Sequence, residues 1–229
     1  MKQQYLGDVN DYRKFCLLRH FAIAGGAKVG MCWMLTPDDG GRDGRKLAYL
    51  DQPSEWREHD PELFDGLKAI VHGDVGRQLR MVEDSGLIPG ALYYDQIVPD
   101  PEGARASYMR RALSALAEAD FLFFDPDNGL EISSKPKGRL QSSKFLYWDE
   151  VAKADRPGRS LLIYQHFTRE ARQGFAQRLG ERLRDVTRAS DIWGIHSPHV
   201  LFLLATSMPQ ISACAENLPA RFGMRAERL

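Results

Sequence analysis

The sequence predicts an α/β fold with a mostly parallel sheet and a C-terminal antiparallel strand. Segments with the residue spacing of helices alternate with short apolar runs, which is the order of a sheet joined by helical crossovers. Two runs, FLFF at 121–124 and SLLIYQHF at 160–167, are almost wholly apolar, as in strands covered on both faces. The last two runs, IWGIH and HVLFLLAT, are joined only by Ser197 and Pro198, so we expect them to be antiparallel.

Length and composition favour one domain over residues 1–229. The chain has 229 residues, 43% of them apolar, which is enough for a substantial core. Its 31 basic and 31 acidic residues cancel, so the net charge carries no footprint of a nucleic-acid binder. No run approaches the roughly 18 apolar residues of a membrane helix, and the first residues lack the apolar run of a signal peptide. We therefore expect a cytoplasmic protein without a membrane partner.

The first half of the chain contains helix and strand signals in alternation. Apolar residues recur at helical spacing over residues 11–26, which end in two glycines that stop a helix. Residues 29–36 predict a strand, followed by the glycine-rich loop TPDDGGRDGR. Residues 45–51, RKLAYLD, predict a second strand that can pair with the first as a hairpin. The remaining elements expected in this half are two short helices at 60–71 and 76–86 and a strand at 91–98.

The second half has the stronger periodicity. Residues 105–119 predict a helix that leads into the FLFF strand. Residues 145–154 predict a short helix, and residues 168–186 predict a longer one with Thr168 as its N-cap. Residues 210–223 predict a closing helix. The three cysteines lack the paired spacings of disulfide frameworks or zinc sites, so we expect core thiols at Cys16, Cys32 and Cys214.

Charged and polar residues follow two of the apolar strands directly. Asp125, Asp127 and Glu131 come after FLFF, and Gln165 and His166 end the next strand. Ligands of open α/β sheets bind at the carboxyl ends of the strands, so we expect these segments to converge on one crevice with the loop after CWMLT. The competing interpretation is that the carboxylates only cap turns and the following helix.

Three motifs in order, GDVNDYRKFCLL, GMCWMLTPDDGGRDG and FFDPDNG, give the chain a family resemblance. Together with the succession of strands and helices, they make it similar to class I S-adenosylmethionine-dependent methyltransferases. The nearest subgroup comprises the large-subunit rRNA adenine methyltransferases with an N-terminal Asn-x-x-Asp-x-x-Lys-type helix, and the related three-Cys-motif partner proteins. The resemblance covers most of the chain. It implies a Rossmann-like three-layer sandwich, S-adenosylmethionine as cofactor and a nucleic-acid base as substrate.

The resemblance also implies roles for particular residues. The N-terminal lysine and the glycine-rich loop would hold the cofactor, at Lys14, Asp39, Gly40, Gly41 and Gly44. The motif after the strand would orient the target amine, and the candidate catalytic residues are Asp125, Asp127, Asn128, Glu131 and His166.

The motif departs from that of the family at two positions. The family motif reads Asp-Pro-Pro-Tyr, whereas Asp127 and Asn128 stand here for the second proline and the tyrosine. An asparagine cannot stack on a flipped base, so an aromatic ring would have to come from Tyr147, Trp148 or Tyr164.

Two other functions remain open from the residues themselves. Asp125, Asp127, Glu131 and His166 could together bind magnesium or manganese in a metal-dependent nuclease or phosphodiesterase. Alternatively, the chain is a non-catalytic module of the same fold that binds nucleic acid or protein.

A basic segment follows the acidic motif. Its cations are Lys135, Lys137, Arg139 and Lys144, with no acidic residue among them. Basic residues beside a crevice are what phosphate-backbone binding requires, so they are the candidate nucleic-acid-binding residues. A solvated loop would have the same composition.

Overall fold

The structure is a computed structural model that describes residues 1–38, 40–41, 44–74 and 76–229. It has an α/β architecture built on a mixed seven-stranded sheet. The helices of the described residues are α1 (Val9–Ile23), α2 (Pro53–Trp56), α3 (Pro61–His72), α4 (Leu79–Ser85), α5 (Glu102–Ala115), α6 (Trp148–Ala154), α7 (Arg172–Val186) and α8 (Pro209–Glu216). The strands are β1 (Val29–Cys32), β2 (Leu92–Tyr94), β3 (Phe121–Phe124), β4 (Gly129–Leu130), β5 (Phe145–Leu146), β6 (Ser160–His166), β7 (Asp191–His196), β8 (Val200–Thr206) and β9 (Arg225–Arg228).

The main sheet is parallel on one side and antiparallel on the other. Its strand order is β2-β1-β3-β6-β8-β7-β9, and β4 and β5 form a separate parallel pair. Neighbours from β2 to β6 are parallel, whereas β8 is antiparallel to both β6 and β7. The expected C-terminal antiparallel strand is therefore β8. Strand β9, which the sequence did not predict, adds a second antiparallel strand beside β7.

Helices cover both faces of the sheet because its strands are apolar on both sides. Phe121, Phe123 and Leu162 face a core cluster that includes buried residues of α1, α3, α4 and α8. Their neighbours Leu122 and Phe124 face the opposite cluster, which includes residues of α5, α6 and α7. This alternation is the two-residue period of a strand, and it explains why FLFF carries no polar residue.

The register of the parallel strands sets the level at which the candidate site begins. Cys32 pairs with Phe124, and Phe124 pairs with Ile163, so β1, β3 and β6 reach the same edge together. The backbone N–H of Asp125 donates to the carbonyl of Cys32 at 3.1 Å. Asp125 therefore leaves the sheet next to the end of β1 and level with Tyr164.

Three expectations about secondary structure are wrong. Residues 45–51 form no strand: Ala48–Asp51 is a 3-10 helix that buries Tyr49 and Leu50, and β1 pairs instead with β2. Thr168 is not an N-cap, because α7 begins at Arg172 and the Thr168 hydroxyl accepts from the N–H of Glu170 in a local turn. The closing helix ends at Glu216, before a 3-10 turn and β9.

The other helices and strands expected from the sequence are present, with ends that differ by a few residues. The three cysteines are free thiols and buried, as expected. In the part of the chain that the structure describes, no helix has both the length and the apolar character needed to cross a bilayer.

Candidate functional site

A cavity of about 420 Å³ lies where β3 and β6 end. Five parts of the chain line it: the first residues, the start of α1, the segment at Gly44 and Lys46, the segment after β3 and the end of β6. Six of the candidate catalytic and cofactor-binding residues meet there, namely Lys14, Gly44, Asp125, Asp127, Asn128 and His166. The convergence of strand ends expected from the sequence is thus present in the structure.

The start of α1 is fixed by a side-chain cap. The carboxylate of Asp8 accepts from the N–H groups of Asn10 at 2.8 Å and Asp11 at 3.1 Å, which satisfies two of the unpaired donors of a helix N-terminus. Asp11 and Lys14 are three residues apart, so they share a face of α1. The cap therefore sets the position of both ionic side chains that α1 contributes to the cavity.

Lys14 joins two buried carboxylates. Its ammonium lies 2.6 Å from Asp125 Oδ2 and 2.6 Å from Asp11 Oδ1, and only 1% of the lysine is exposed. The remaining oxygen of Asp11 accepts from the N–H of Gly7 at 3.0 Å. Burial raises the pKa of Asp11 to about 7, against the attraction of Lys14. Burial alone lowers the pKa of Lys14, but the two carboxylates outweigh it and raise that pKa above its ordinary value.

Aromatic rings surround the Lys14 ammonium. It lies 5.4 Å from the ring centroid of Phe15, 5.7 Å from that of Trp33 and 5.6 Å from that of Tyr164. The negative faces of such rings attract a cation when water is excluded, which offsets part of the cost of burying the charge. Of the three rings proposed for stacking a base, Tyr164 lines the cavity, whereas Tyr147 and Trp148 do not.

The first residues of the chain contact the segment after β3. The terminal ammonium of Met1 donates to the carbonyl of Asp125 at 2.8 Å and to that of Met34 at 3.3 Å. Burial lowers the pKa of this ammonium. Lys2 approaches from the same segment, with its Nζ 3.8 Å from Asp127 Oδ2. These contacts hold the DPDN segment from the N-terminal side.

Asp127 retains an acceptor that no group of the described chain uses. Its Oδ1 is buried and has no hydrogen-bond partner, whereas its Oδ2 lies 3.8 Å from Lys2 and 3.9 Å from Lys144. Leaving a buried acceptor unpaired costs about 1–3 kcal/mol. Asp127 lines the cavity, so the unpaired acceptor belongs to a residue of the cavity wall.

Gly129 and Gln165 fix the turn that follows Asn128. Gly129 has a φ of +97°, and a Cβ there would lie 2.5 Å from Gln165 Oε1. That oxygen accepts from the N–H of Leu130 at 2.7 Å. Gln165 therefore stabilises the turn through this hydrogen bond. It is not among the cavity residues.

Glu131 lies apart from the other candidate catalytic residues. Its carboxylate accepts from the N–H of Trp148 at 3.1 Å, at the start of α6. Stabilising a helix N-terminus is a structural role for a carboxylate. The set of four residues considered for a metal ion is thus not assembled around one point.

The glycine-rich loop and the basic segment have few contacts with the cavity. Gly40 and Gly41 are exposed and do not line it, and Asp39 lies outside the described residues. In the basic segment, Lys137 pairs with Asp149 and lies 3.6 Å from Glu150, while Lys144 lies 3.9 Å from Asp127. Lys135 and Arg139 form no ion pair with any described residue, and neither lines the cavity.

Several cavity residues were not selected as site residues from the sequence. They come from the first residues, the start of α1 and the segment after the glycine-rich loop, and include Met1, Tyr5, Asp8, Asn10, Asp11 and Lys46. The spacing of Asp11 and Lys14 was the one available signal, since residues three apart on a helix point the same way. The packing of the first residues on β3 has no sequence signal.

Neither metal-ligand geometry nor comparison with known proteins identifies the site. Among the described residues, no group of three or more His, Cys, Asp or Glu side chains is arranged to hold a metal ion. Comparisons of the chain with protein-family models, curated proteins and solved structures find no match in any of the three.

Proposed function

We propose that the chain is a methyltransferase-like protein that binds S-adenosylmethionine in the cavity at the ends of β3 and β6. The observation that carries the proposal is the ion pair between Lys14 of the N-terminal helix and Asp125 of the segment after β3, inside a cavity. The helices on both faces and the antiparallel β8 beside β6 support a Rossmann-like sandwich of the methyltransferase type.

The residues present suit the chemistry of this cofactor. S-adenosylmethionine carries an ammonium, a carboxylate and a sulfonium together with an adenosine, so its site needs charges of both signs and apolar surface. The cavity supplies Lys14, the carboxylates of Asp8, Asp11, Asp125 and Asp127, and the ring of Tyr164. The cavity volume of about 420 Å³ is typical of small-molecule sites, which range from about 300 to 1,000 Å³.

In this proposal the cofactor supplies an electrophilic methyl group, and the chain orients the acceptor amine. The free Oδ1 of Asp127 accepts one amine hydrogen, and the exposed Asn128 contributes an amide at the cavity. Methyl transfer would break the carbon–sulfur bond of the cofactor and leave a thioether, and the amine nitrogen that gains the methyl group would lose one proton. His166, which also lines the cavity, is the neutral base placed to take it, because desolvation by its surroundings lowers its pKa.

Calorimetric titration with S-adenosylmethionine and with S-adenosylhomocysteine tests the proposal. We expect binding of both. Asp125→Asn should weaken it by about tenfold or more, because it removes the charge that strengthens the hydrogen bond from Lys14 in the cavity, and a charge-assisted hydrogen bond contributes about 1.5–3 kcal/mol. Asp149→Asn is the matched control, because Asp149 is exposed and remote from the cavity. No heat at millimolar cofactor for the folded wild-type protein would refute the proposal.

The proposed substrate is a nucleic-acid base, and the basic segment provides a test of that part. Replacing Lys135, Lys137, Arg139 and Lys144 by glutamine should lower the affinity for an oligonucleotide and flatten its dependence on salt. Because Lys137 and Lys144 already face carboxylates, we expect Lys135→Gln with Arg139→Gln to account for most of the loss. An unchanged salt slope in the fourfold variant would show that this segment does not contact phosphates.

A further inference from the structure

Four basic side chains come from segments that adjoin the cavity, and one of them, Lys46, lines it. Arg13 belongs to α1, Lys46 to the segment before the 3-10 helix, Arg172 to the start of α7, and His199 to the β7–β8 turn. We call these four residues the cationic rim. The net charge of the chain is zero, so a cluster of this kind reflects placement and not composition.

Arg13 and Lys46 lie on the α1 side of the cavity. The backbone N–H of Val9 donates to the carbonyl of Lys46 at 3.1 Å, which places Lys46 beside the first turn of α1. Lys46 is exposed and lines the cavity, as does Asn10, which precedes Arg13 by one helical turn. Both cations thus belong to segments that adjoin the α1 side of the cavity.

Arg172 and His199 lie on the β6 side. His166 lines the cavity and pairs with Val200 across β6 and β8. His199 precedes Val200, so it lies beside this pair, where β6 ends and β8 begins. Arg172 donates to the carbonyl of Pro198 at 2.9 Å, which ties it to the same turn. Its guanidinium lies 4.5 Å from the ring centroid of Phe167, the residue after His166.

The two sides of the cationic rim act on one another electrostatically. Partial burial lowers the pKa of His199, and Lys46, Arg13 and Arg172 lower it further, so His199 is mostly uncharged at neutral pH and the positive charge of the rim comes from the other three residues. Asp8 opposes them, but its Oδ1 already accepts two N–H groups at the start of α1. Within the described residues, Arg13, Lys46 and Arg172 take part in no ion pair with a carboxylate.

An unused donor adds an independent observation. The Nε–H of Arg13 is buried and has no hydrogen-bond partner, while the guanidinium is held 5.0 Å from the ring centroid of Trp56. A guanidinium fixed on a ring with a free N–H is suited to an oxyanion, because its fork of donors matches the oxygens of phosphate.

We propose that the cationic rim binds a phosphate group of the substrate while the cavity holds the reacting groups. This inference rests on the proposed function, because it assigns the phosphate to the molecule that receives the methyl group. The site is distinct from the basic segment at 135–144. The phosphate belongs either to a nucleotide or to a nucleic-acid strand, and the two sources share the same recognition.

The test compares Arg13→Gln/Lys46→Gln with Lys28→Gln/Arg80→Gln, a double variant that removes two cations from exposed positions elsewhere. The ligands are a labelled single-stranded oligonucleotide, a nucleoside monophosphate and the unphosphorylated nucleoside. We expect the rim variant to lose about tenfold or more in affinity for a phosphate-bearing ligand. For the oligonucleotide, the slope of log K against log salt should shrink by about 0.7 for each phosphate that the rim no longer neutralises. Sensitivity with the oligonucleotide alone would identify a strand, and sensitivity with both ligands a nucleotide phosphate.

Three results would overturn the inference: wild-type affinity in the rim variant, an equal loss in the control variant, or an equal loss for the unphosphorylated nucleoside. Lys46→Gln alone serves if Arg13→Gln impairs folding, because Lys46 is exposed. Titration with S-adenosylmethionine separates the two proposals. If the cofactor binds but the rim variant keeps its affinity for phosphate-bearing ligands, the rim proposal is refuted. If the rim variant loses that affinity but the cofactor does not bind, the methyltransferase proposal is refuted.

Discussion

The ammonium of Lys14 lies 2.6 Å from Asp125 Oδ2, which ties the N-terminal helix to the end of the central strand β3. Both residues are almost wholly buried. Removing two charges from water costs several kcal/mol for each ion, and their attraction repays this only when the geometry is close and further polar groups assist. The second pair with Asp11 and the surrounding rings provide that assistance. The site thus depends on a charge balance among three side chains.

The first prediction is that Lys14→Met destabilises the fold strongly. Methionine fills similar space but leaves Asp11 and Asp125 buried without a cation, so the free energy of unfolding should fall by about 3–5 kcal/mol at pH 8. Urea denaturation measures it. Lys28→Met is the control, because Lys28 pairs with Glu118 at the surface and such exposed pairs contribute little to stability. Similar small losses in both variants would contradict the stated role of Lys14.

The second prediction concerns pH and Asp11. Burial raises the pKa of its carboxyl from 3.8 to about 7, so between those values the folded chain holds a proton that the unfolded chain lacks. The protonated form therefore contributes stability that is complete below pH 3.8 and is lost as the pH rises through about 7. The slope is at most about 1.4 kcal/mol per unit of pH.

Asp11→Asn removes this titration. We expect the free energy of unfolding of the variant to rise relative to that of the wild type as the pH increases from about 4 to about 7. Other carboxylates titrate in the same range, and subtracting the wild-type curve from the variant curve cancels them. Parallel curves over this range would show that Asp11 titrates normally in the folded protein.

The place of the candidate site was predictable, because Asp125 directly follows an apolar strand and ligands of open α/β sheets bind at the carboxyl ends of the strands. The register of β1, β3 and β6 then brings the strand ends together. The partner of Asp125 was less predictable, since Lys14 reaches it only through the packing of α1 on the sheet. The family resemblance pointed to Lys14 as a ligand of the cofactor, and the structure shows it bound to two carboxylates.

The errors in secondary structure have physical causes. Residues 45–51 contain the short apolar run LAYL, which resembles a strand, but Tyr49 and Leu50 are buried in a 3-10 turn, so tertiary packing overrides the local pattern. Strand β9 has the sequence RAER, without apolar alternation, because it lies at an exposed edge. The pairing of Lys137 with Asp149 crosses from the basic segment to α6, and spacing alone does not reveal it.

The third prediction separates two glycines. Gly129→Ala should lower the free energy of unfolding by about 1–3 kcal/mol, because its φ is +97° and the new Cβ would meet the Gln165 side chain. Gly174→Ala is the matched control: it lies in α7 with no atom within 4 Å of the added Cβ, and alanine there should stabilise by about 0.5–1 kcal/mol. Thermal unfolding of both variants measures the contrast, and a neutral Gly129→Ala would mean that the turn tolerates a side chain.

The last prediction is that Asp127→Asn preserves the fold and weakens ligand binding. Its Oδ1 has no partner and its Oδ2 lies 3.8 Å from the nearest cation, so little native interaction is lost. The variant also removes a negative charge close to that of Asp125, which relieves repulsion. The melting temperature should therefore stay within about 4 °C of the wild-type value, or rise. Affinity for a ligand of the cavity should fall by about tenfold or more, because an amide lacks the charge that strengthens the hydrogen bond.

Asp100→Ala is the control variant for a carboxylate with a purely structural role. Asp100 accepts from the N–H groups of Gln141 at 2.9 Å and Ser143 at 2.7 Å, away from the cavity, so its loss should cost about 1 kcal/mol and leave ligand affinity unchanged. Melting temperature and ligand affinity measured on both variants give opposite patterns if Asp127 serves the site. A destabilised Asp127→Asn with unaltered binding would place Asp127 with Asp100, as a carboxylate that only holds a turn.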